Sequence, residues 1–522
     1  MTAALSEHRG ATPGGVRTSA LLGVLATVLS LVGSWHVSFW TDEAATLSAA
    51  DRSLPQLGEL TRSVDAVHGV YDAMMHVWTS IVGTSPFAVR LPSALAVGVA
   101  TVGVYVLGRQ LLAPRGALVS ALVFLLLPRV TGMGIEARSF ALTMVPAVWA
   151  TVVVVAMSRS EGRRRRLVWL AAAYAVVVGF GTALNLYVVM LLAAHGVSML
   201  LVRPRRAVWV AWGAASAAAV ALAAPVTLRS LTQSGQLGVP QLGPVSLARN
   251  VLVNQWFLGL TPADGSGGKL WVVGAVVAAG LGWGLIAWTA LCLWRPTARC
   301  LWRRRESVAE VWAAWRWSLP VVVVPTLLVV AYAVAVAPQA YRAHYLTFCA
   351  PGLALTLGAA AAALRWRPLL VVGLVFVVAV APVYASQRTV TAKGGADWAL
   401  AAQAVHAMAE PGDVVYFAPH RGESDDGQHK TRRELAIAYP RAFAGLRDLT
   451  LRETPAASGT LWGVSDTLEE AEPRLAGVDR LWVLYSDSTE TITPDLRRLT
   501  DLGFTTTLTR SWSQTTVLLL ER

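Results

Sequence analysis

Charged residues are scarce in this chain of 522 residues: they make up 14% of it, against 55% for hydrophobic residues. A soluble protein of this length carries about 25% charged residues, so the scarcity excludes an ordinary soluble enzyme. Apolar stretches recur between residues 19 and 386, and stretches of about twenty residues are long enough to cross a bilayer as helices. The sequence therefore predicts a polytopic α-helical membrane protein.

Cysteine is also rare. The three cysteines, Cys292, Cys300 and Cys349, lie in or beside apolar stretches. The polar C-terminal part has none, so no disulfide framework is predicted there. We find no internal repeat and no glycine motif of the nucleotide-binding kind, and nothing else in the sequence indicates a nucleotide substrate.

Acidic residues are few before Tyr384 and common after it. The part up to Tyr384 has 29 basic and 12 acidic residues, and the part after it has 15 basic and 19 acidic residues. The basic residues of the first part lie in short loops between apolar stretches, which is typical of topology determinants rather than of a nucleic-acid-binding surface. Their alternation predicts a cytoplasmic N-terminus and an extracytoplasmic C-terminal domain.

The predicted fold has about 11 transmembrane helices, and at most 13, followed by an extracytoplasmic α/β domain. Residues 1–18 form a cytoplasmic tail, residues 19–386 the transmembrane domain and residues 387–522 the α/β domain, whose strands are predicted at "DVVYF", "RLWVLYSDS" and "TTVLLLER". Residues 40–88 form the first extracytoplasmic loop, in which 66–85 is interpreted as an amphipathic helix on the membrane. The predicted spans are 19–39, 89–108, 116–130, 139–158, 167–183, 186–202, 207–228, 269–294, 317–337, 343–364 and 368–386.

Two adjacent carboxylates, Asp42 and Glu43, follow the first predicted span. The loop that they open holds six of the twelve acidic residues before Tyr384. A carboxylate at the outer membrane boundary is suited to act as a general base. The alternative is structural: Thr41 caps a helix that begins at Asp42, and the two acids complement the helix dipole.

The same loop and the second span carry further candidate binding residues: Asp65, His68, Tyr71 and Arg90. His68 and Tyr71 are three residues apart and so share one face of a helix. Arg90 opens the second span from the outside. The alternative for Arg90 is an interfacial charge that extends to the water.

Charged residues also lie at the outer boundaries of two later predicted spans. Glu136 and Arg138 lie at one of them, where a structural ion pair between the two is the alternative. Arg342, His344 and Tyr345 lie at the other. Arginine suits a phosphate because it stays charged and offers a planar fork of donors. All these residues are predicted on one side of the membrane, where they can bind an anionic headgroup whose lipid tail stays in the bilayer.

The chain resembles the GT-C glycosyltransferases, and within them the bacterial group of protein O-mannosyltransferases and lipid A aminoarabinose transferases. The resemblance covers residues 40–417. It rests on "TDE" (41–43), H-x-x-Y (68–71), "VRLPSALAVG" (89–98), "EARSFAL" (136–142), "YRAHYL" (341–346) and "ADWALAAQAV" with "PGDVVYF" (396–417).

The resemblance implies transfer of a sugar from a polyprenyl-phosphate carrier to an acceptor outside the cell. It implies that Asp42 activates the acceptor hydroxyl, that Glu43 is the accompanying acid, and that Arg138 and Arg342 contact the phosphate. The chain departs from its relatives at "HGV" (68–70), where they have Lys-Pro or His-Pro-Pro, which indicates a different acceptor.

A single inverting displacement is expected, because no second nucleophile is evident, although a retaining route stays open. No cofactor is expected, and a divalent metal is neither expected nor excluded. The partners are the lipid-linked donor, a glycan, lipid or protein acceptor, and the bilayer, but not nucleic acid. An Ala/Val/Arg-rich composition with little lysine indicates a GC-rich, actinobacterial genome, which favours mannose or arabinose as the sugar.

Three other functions stay open: a transporter or flippase, a polymerase or ligase of lipid-linked glycans, and a catalytically inactive binding subunit. Transporters usually carry charges near the middle of the membrane and have two related halves. This sequence shows neither feature.

Overall fold

A computed structural model describes residues 13–160, 162–233, 243–262, 269–294, 306–418, 432–486 and 492–522. Up to Ser386, the described residues are almost entirely helical, as the apolar stretches predict. The helices are α1 (Pro13–Leu31), α2 (Thr41–Ala50), α3 (Leu54–Ser63), α4 (Gly69–Val82), α5 (Pro86–Leu111), α6 (Pro114–Leu126), α7 (Pro128–Met133), α8 (Phe140–Ser158), α9 (Arg164–Leu184), α10 (Met190–Val202), α11 (Arg206–Leu231), α12 (Pro244–Arg249), α13 (Gln255–Phe257), α14 (Leu270–Trp294), α15 (Glu306–Ala335), α16 (Ala350–Ala363) and α17 (Trp366–Ser386).

Nine helices among the described residues are long and apolar enough to cross a membrane. Two shorter apolar helices, Pro114–Leu126 and Leu186–Val202, accompany them, and each of these helices overlaps one of the predicted spans. Their outward faces carry exposed large apolar side chains such as Leu222, Val334 and Val378. A continuous apolar surface of this kind is stable in lipid but not in water. The predicted class, a polytopic α-helical membrane protein, is therefore confirmed.

The first predicted span, 19–39, is wrong at both ends. Helix α1 begins at Pro13 and ends at Leu31, so part of the predicted N-terminal tail is helical, while residues 1–12 lie outside the described residues. The helix stops near Gly33, whose φ of 79° is left-handed, as is common where glycine ends a helix. The predicted basic loop at 295–305 lies outside the described residues.

The C-terminal part is an α/β region. Its elements are α18 (Trp398–Met408), β1 (Val414–Phe417), α19 (Arg433–Ala438), β2 (Arg447–Asp448), β3 (Leu451–Glu453), α20 (Pro455–Ser458), β4 (Val464–Ser465), α21 (Leu468–Ala471), β5 (Arg480–Tyr485), α22 (Thr493–Asp501), β6 (Thr505–Ser511) and β7 (Thr516–Glu521). One sheet has the strand order β2-β1-β5-β7-β6, with parallel pairs on one side of β5 and antiparallel pairs on the other. Strands β1, β5 and β7 confirm the three predicted strands.

The α/β region packs on the segment that follows the first span. One buried cluster combines apolar residues of α2, α3 and α4 with residues of the C-terminal part, including Trp398, Phe417, Leu435 and Trp482. A shared core of this kind joins the two parts of the chain through the hydrophobic effect. It seats the helix that carries Asp42 on the α/β region.

Candidate active site

Helix α2 leaves one of the two adjacent carboxylates, Asp42, partly exposed and buries the other, Glu43. It begins at Thr41, with Trp40 as its N-cap, so Asp42 and Glu43 lie in its first turn. Neighbouring residues point about 100° apart on a helix. The Asp42 side chain is accordingly 31% exposed, whereas Glu43 is 0% exposed. Thr41 does not cap the helix, because its hydroxyl donates to Glu434 Oε2 at 2.7 Å, and the capping alternative is wrong.

Arg138 lies between two carboxylates. Its Nη2 is 3.9 Å from Asp42 Oδ1 and its Nη1 is 3.9 Å from Asp65 Oδ2. Burial lowers the pKa of Arg138, but Asp42, Asp65 and Asp72 outweigh burial and raise the pKa. The guanidinium therefore keeps its charge in a buried position, as a buried cation does only when it is paired. The predicted alternative, an ion pair between Glu136 and Arg138, is wrong.

Asp65 occupies a constrained turn. Its φ of 58° is left-handed, a conformation that Asp and Asn adopt more readily than other residues with a side chain. Gln233 holds the turn from outside: its Oε1 accepts from the Ala66 amide at 2.9 Å, and its Nε2 donates to the Thr61 carbonyl at 3.1 Å. Strained backbone of this kind clusters at functional sites. The end of α11 thus fixes the carboxylate that faces Arg138.

Aromatic rings form one wall of the site. The rings of His68 and Phe140 are 6.2 Å apart, Phe140 stacks on Tyr345 at 5.6 Å, and His344 lies 4.8 Å from Phe140. Burial and the nearby Arg138 lower the pKa of His68 to about 3. His68 is therefore neutral near pH 7, and its buried Nδ1 has no hydrogen-bond partner among the described residues.

Glu43 forms a buried ion pair away from this wall. Arg90 donates to it from Nε at 2.8 Å and from Nη2 at 2.6 Å, and the Ala137 amide donates to Glu43 Oε1 at 2.9 Å. Burial raises the pKa of Glu43, but Arg90 and Lys393 outweigh burial, so the pKa lies below its usual value. Arg90 is 0% exposed, and the prediction of an interfacial charge there is wrong.

Glu136 pairs with a residue that the sequence analysis missed. Lys393 Nζ lies 3.0 Å from Glu136 Oε2, and both side chains are buried. The Ser93 hydroxyl donates to the Glu136 carbonyl at 2.6 Å. Burial raises the pKa of Glu136, and Lys393 acts in the opposite direction. The loop between α7 and α8 is thus anchored at Glu136 and Ala137, the two residues that directly precede Arg138.

The two remaining candidates are Tyr71 and Arg342. Tyr71 is buried in the cluster shared with the α/β region. Its neighbour Asp72 is also buried, and burial together with Asp65 raises the pKa of Asp72 well above its usual value. Arg342 is half-buried, and its charge acts on both His344 and Tyr345.

The structure thus divides the predicted residues into two groups. The first group lies around Arg138 and the Phe140 ring; it comprises Asp42, Asp65, His68, Arg138, Arg342, His344 and Tyr345. The second group is buried behind it; it comprises Glu43, Tyr71, Arg90 and Glu136. Asp72, Gln233, Lys393 and Glu434 join the site through the tertiary fold. Of these four residues, only Asp72 could have been noticed in the sequence, because it is one of the acidic residues concentrated in the first loop.

Comparison with known proteins gives one family and a set of related structures. A family model described as dolichyl-phosphate-mannose-protein mannosyltransferase matches residues 70–228. Comparison with curated proteins gives no match. Crystal structures of ArnT from Cupriavidus metallidurans resemble the chain with a TM-score of 0.57 at 12% identity when bound to undecaprenyl phosphate, and 0.58 at 11% in the apo state. Each comparison covers 97% of this chain and 98% of ArnT.

A cryo-electron microscopy structure of the arabinofuranosyltransferase AftD from Mycobacteria has a TM-score of 0.50 at 17% identity, over 97% of this chain and 40% of AftD. At these identities the likeness to solved structures shows the fold. The family match over residues 70–228 and the shared fold agree with the predicted resemblance to the GT-C glycosyltransferases. The predicted resemblance is confirmed at that level.

Proposed function

We propose that the protein transfers a sugar from a polyprenyl-phosphate carrier to a hydroxyl of a cell-envelope acceptor on the outer side of the membrane. The observation that carries this proposal is the arrangement of Asp42: a partly exposed carboxylate 3.9 Å from a buried arginine, beside an aromatic wall. A likeness to ArnT bound to undecaprenyl phosphate supports the choice of a polyprenyl-phosphate donor.

The reaction needs one base and one stabilised leaving group. Asp42 takes the proton of the acceptor hydroxyl while the hydroxyl oxygen forms a bond to the anomeric carbon of the sugar. The bond between that carbon and the phosphate oxygen breaks, and its electron pair leaves with the polyprenyl phosphate. Positive charge at the site stabilises the negative charge that develops on the phosphate. One displacement of this kind inverts the anomeric configuration.

The two arginines have different roles in this proposal. Arg138 already faces Asp42 and Asp65 at 3.9 Å, so we assign it to orienting the base. Arg342 is half-buried beside Tyr345, and we assign it to the phosphate. Stacked aromatic rings such as those of Phe140 and Tyr345 suit the apolar faces of a sugar and the first isoprene units.

In this proposal the buried candidate residues hold the site in place and do not contact the substrate. Glu43 accepts the Ala137 amide and pairs with Arg90, and Glu136 pairs with Lys393. We assign these residues, and Tyr71, to positioning rather than to contact with substrate.

The basic loops support the orientation in this proposal, and the exposed tryptophans agree with it. With the N-terminus in the cytoplasm, the exposed Trp169, Trp294, Trp312 and Trp366 fall at the inner interface and Trp35 at the outer one. Tryptophan is enriched at both interfaces of a membrane. The site then faces outwards, as does the α/β region.

The sugar is mannose or arabinose in this proposal. The family description names mannose as the sugar of the carrier, and AftD is described as an arabinofuranosyltransferase. An actinobacterial envelope, which contains both sugars, remains a prediction from composition.

A transfer assay in nanodiscs tests the function. Purified protein is incubated with radiolabelled polyprenyl-phosphate mannose or arabinose and an envelope glycan extract. We expect label in the extract with the wild type and at least about a hundredfold loss of rate with Asp42→Asn, because general-base catalysis contributes about 10²–10⁴. Asp51→Asn is the matched control, since Asp51 ends the same helix and is exposed.

The outcomes separate the proposals. Equal rates for wild type and Asp42→Asn contradict the role of Asp42 as base. Absence of transfer with either donor, combined with movement of the lipid-linked sugar across vesicle membranes, supports the transporter or flippase instead.

A further inference from the structure

The first turn of helix α2 is bound to the C-terminal α/β region. The Thr41 hydroxyl donates to Glu434 Oε2 at 2.7 Å, and Glu434 is buried in helix α19. Two residues before Thr41, the Phe39 amide donates to Tyr439 Oη at 2.8 Å. Residues separated by almost four hundred positions in the chain therefore meet one residue away from Asp42.

The far end of α2 is held by the same region. Arg52, just beyond the helix, donates from Nη2 to the carbonyls of Pro455, at 2.8 Å, and Thr460. The Ser48 hydroxyl donates to the Leu461 carbonyl. A helix of 10 residues is only marginally stable by itself in water. Its position and its direction are thus set by the α/β region at both ends.

We propose that Glu434 is a positioning residue for Asp42. The proposal rests on the proposed function and adds a role for the α/β region, which positions a residue of the active site. The charge-assisted bond from Thr41 fixes the rotation of the first turn, and with it the direction of the neighbouring Asp42 side chain. Loss of the bond lets that turn fray, so that the carboxylate spends less time opposite Arg138.

The position of the bond predicts which kinetic constant changes. Glu434 faces Thr41 and not the aromatic wall, so its loss leaves donor binding intact. A small displacement of a catalytic group lowers the rate of the chemical step. We therefore expect Thr41→Val and Glu434→Ala each to lower kcat by about tenfold, with the KM for the donor unchanged.

Conservative and matched variants separate positioning from general damage. Thr41→Ser keeps the hydroxyl and Glu434→Gln keeps an acceptor, so both should stay within about twofold of the wild-type kcat. Thr467→Val is the matched control. The Thr467 hydroxyl donates to Glu470 Oε2 at 3.0 Å in an exposed helix cap of the α/β region, so the same substitution removes a hydroxyl-to-carboxylate bond away from α2.

A second measurement does not depend on activity. Hydrogen exchange of the peptide that contains residues 41–50 is followed by mass spectrometry in nanodiscs. We expect Thr41→Val and Glu434→Ala to speed exchange in this peptide, and Thr467→Val to leave it unchanged. Exchange reports local opening of the helix directly.

The two measurements distinguish the two proposals. Unchanged exchange in α2, or an equal loss of kcat in Thr41→Val and Thr467→Val, overturns the positioning role of Glu434. Faster exchange in α2 combined with an inactive wild-type protein supports the contact but overturns the proposed glycosyl transfer. Faster exchange together with a loss of kcat that Thr41→Ser and Glu434→Gln avoid supports both.

Discussion

Glu43→Gln tests how strongly the buried ion pair of helix α2 stabilises the protein. Glu43 accepts three bonds, from Arg90 Nε at 2.8 Å, Arg90 Nη2 at 2.6 Å and the Ala137 amide at 2.9 Å. Glutamine fits the same space, but it leaves the Arg90 charge buried without its counter-ion. Removing one partner of a buried pair costs about 3–5 kcal/mol. We expect the free energy of unfolding to fall by that amount.

The assay is a reversible denaturant titration in detergent micelles at pH 7. Glu521→Gln is the matched control, because Glu521 pairs with Arg480 at 2.7 Å where both side chains are partly exposed. Pairs in such positions contribute below about 1 kcal/mol. Equal losses of stability in Glu43→Gln and Glu521→Gln would refute the reasoning.

The same pair predicts a dependence on pH. The pKa of Glu43 lies below its ordinary 4.5 in the folded state because Arg90 and Lys393 outweigh burial. Ionised Glu43 therefore adds stability above about pH 4.5, and the contribution is lost as the pH falls through the lowered pKa. The difference in stability between wild type and Glu43→Gln should shrink as the pH falls below 4.5. A difference that grows at low pH would contradict this assignment.

Two further predictions concern His68 and the packing of α1. Because the pKa of His68 is about 3, His68→Asn should leave the shape of the pH profile of kcat/KM unchanged between about pH 5 and 8; a shifted acidic limb would show that His68 titrates there. The wild type should also lose more stability than His68→Asn as the pH falls below 6.5. The reason is that the imidazole takes up a proton in the unfolded chain at these pH values but stays neutral in the folded chain. Gly98→Ala should destabilise by about 1–3 kcal/mol, because its Cβ would lie 2.7 Å from the Gly23 carbonyl oxygen. Gly280→Ala, whose Cβ meets no atom within 4 Å, should cost no stability in the same denaturant titration.

The parts of the fold that could be predicted from the sequence are those whose residues must be hydrophobic. Apolar stretches mark the spans and the three central strands, because burial in lipid or in a sheet imposes that composition locally. The end of α1 was not predictable from hydrophobicity, since the apolar sequence continues past Gly33 while the backbone there turns at a φ of 79°.

The site was only partly predictable. In the sequence, Arg90 and Arg138 both lie at the outer ends of predicted spans, and nothing there distinguishes them. Only the folded structure shows that Arg90 pairs with Glu43 and Arg138 with Asp42. Lys393 is an ordinary lysine in the sequence, and its buried position opposite Glu136 depends on the packing of the whole chain. Such pairings across long stretches of sequence leave no local pattern.

The contacts of α2 with the α/β region bear on the order in which the protein is made. Thr41 and Asp42 leave the ribosome early, whereas Glu434 and Tyr439, which hold the first turn of α2, follow almost four hundred residues later. The turn that bears Asp42 acquires these contacts only after the membrane helices have been inserted and the α/β region has folded. A partly synthesised chain therefore lacks these contacts, so under the proposed function it does not yet hold Asp42 in its final position.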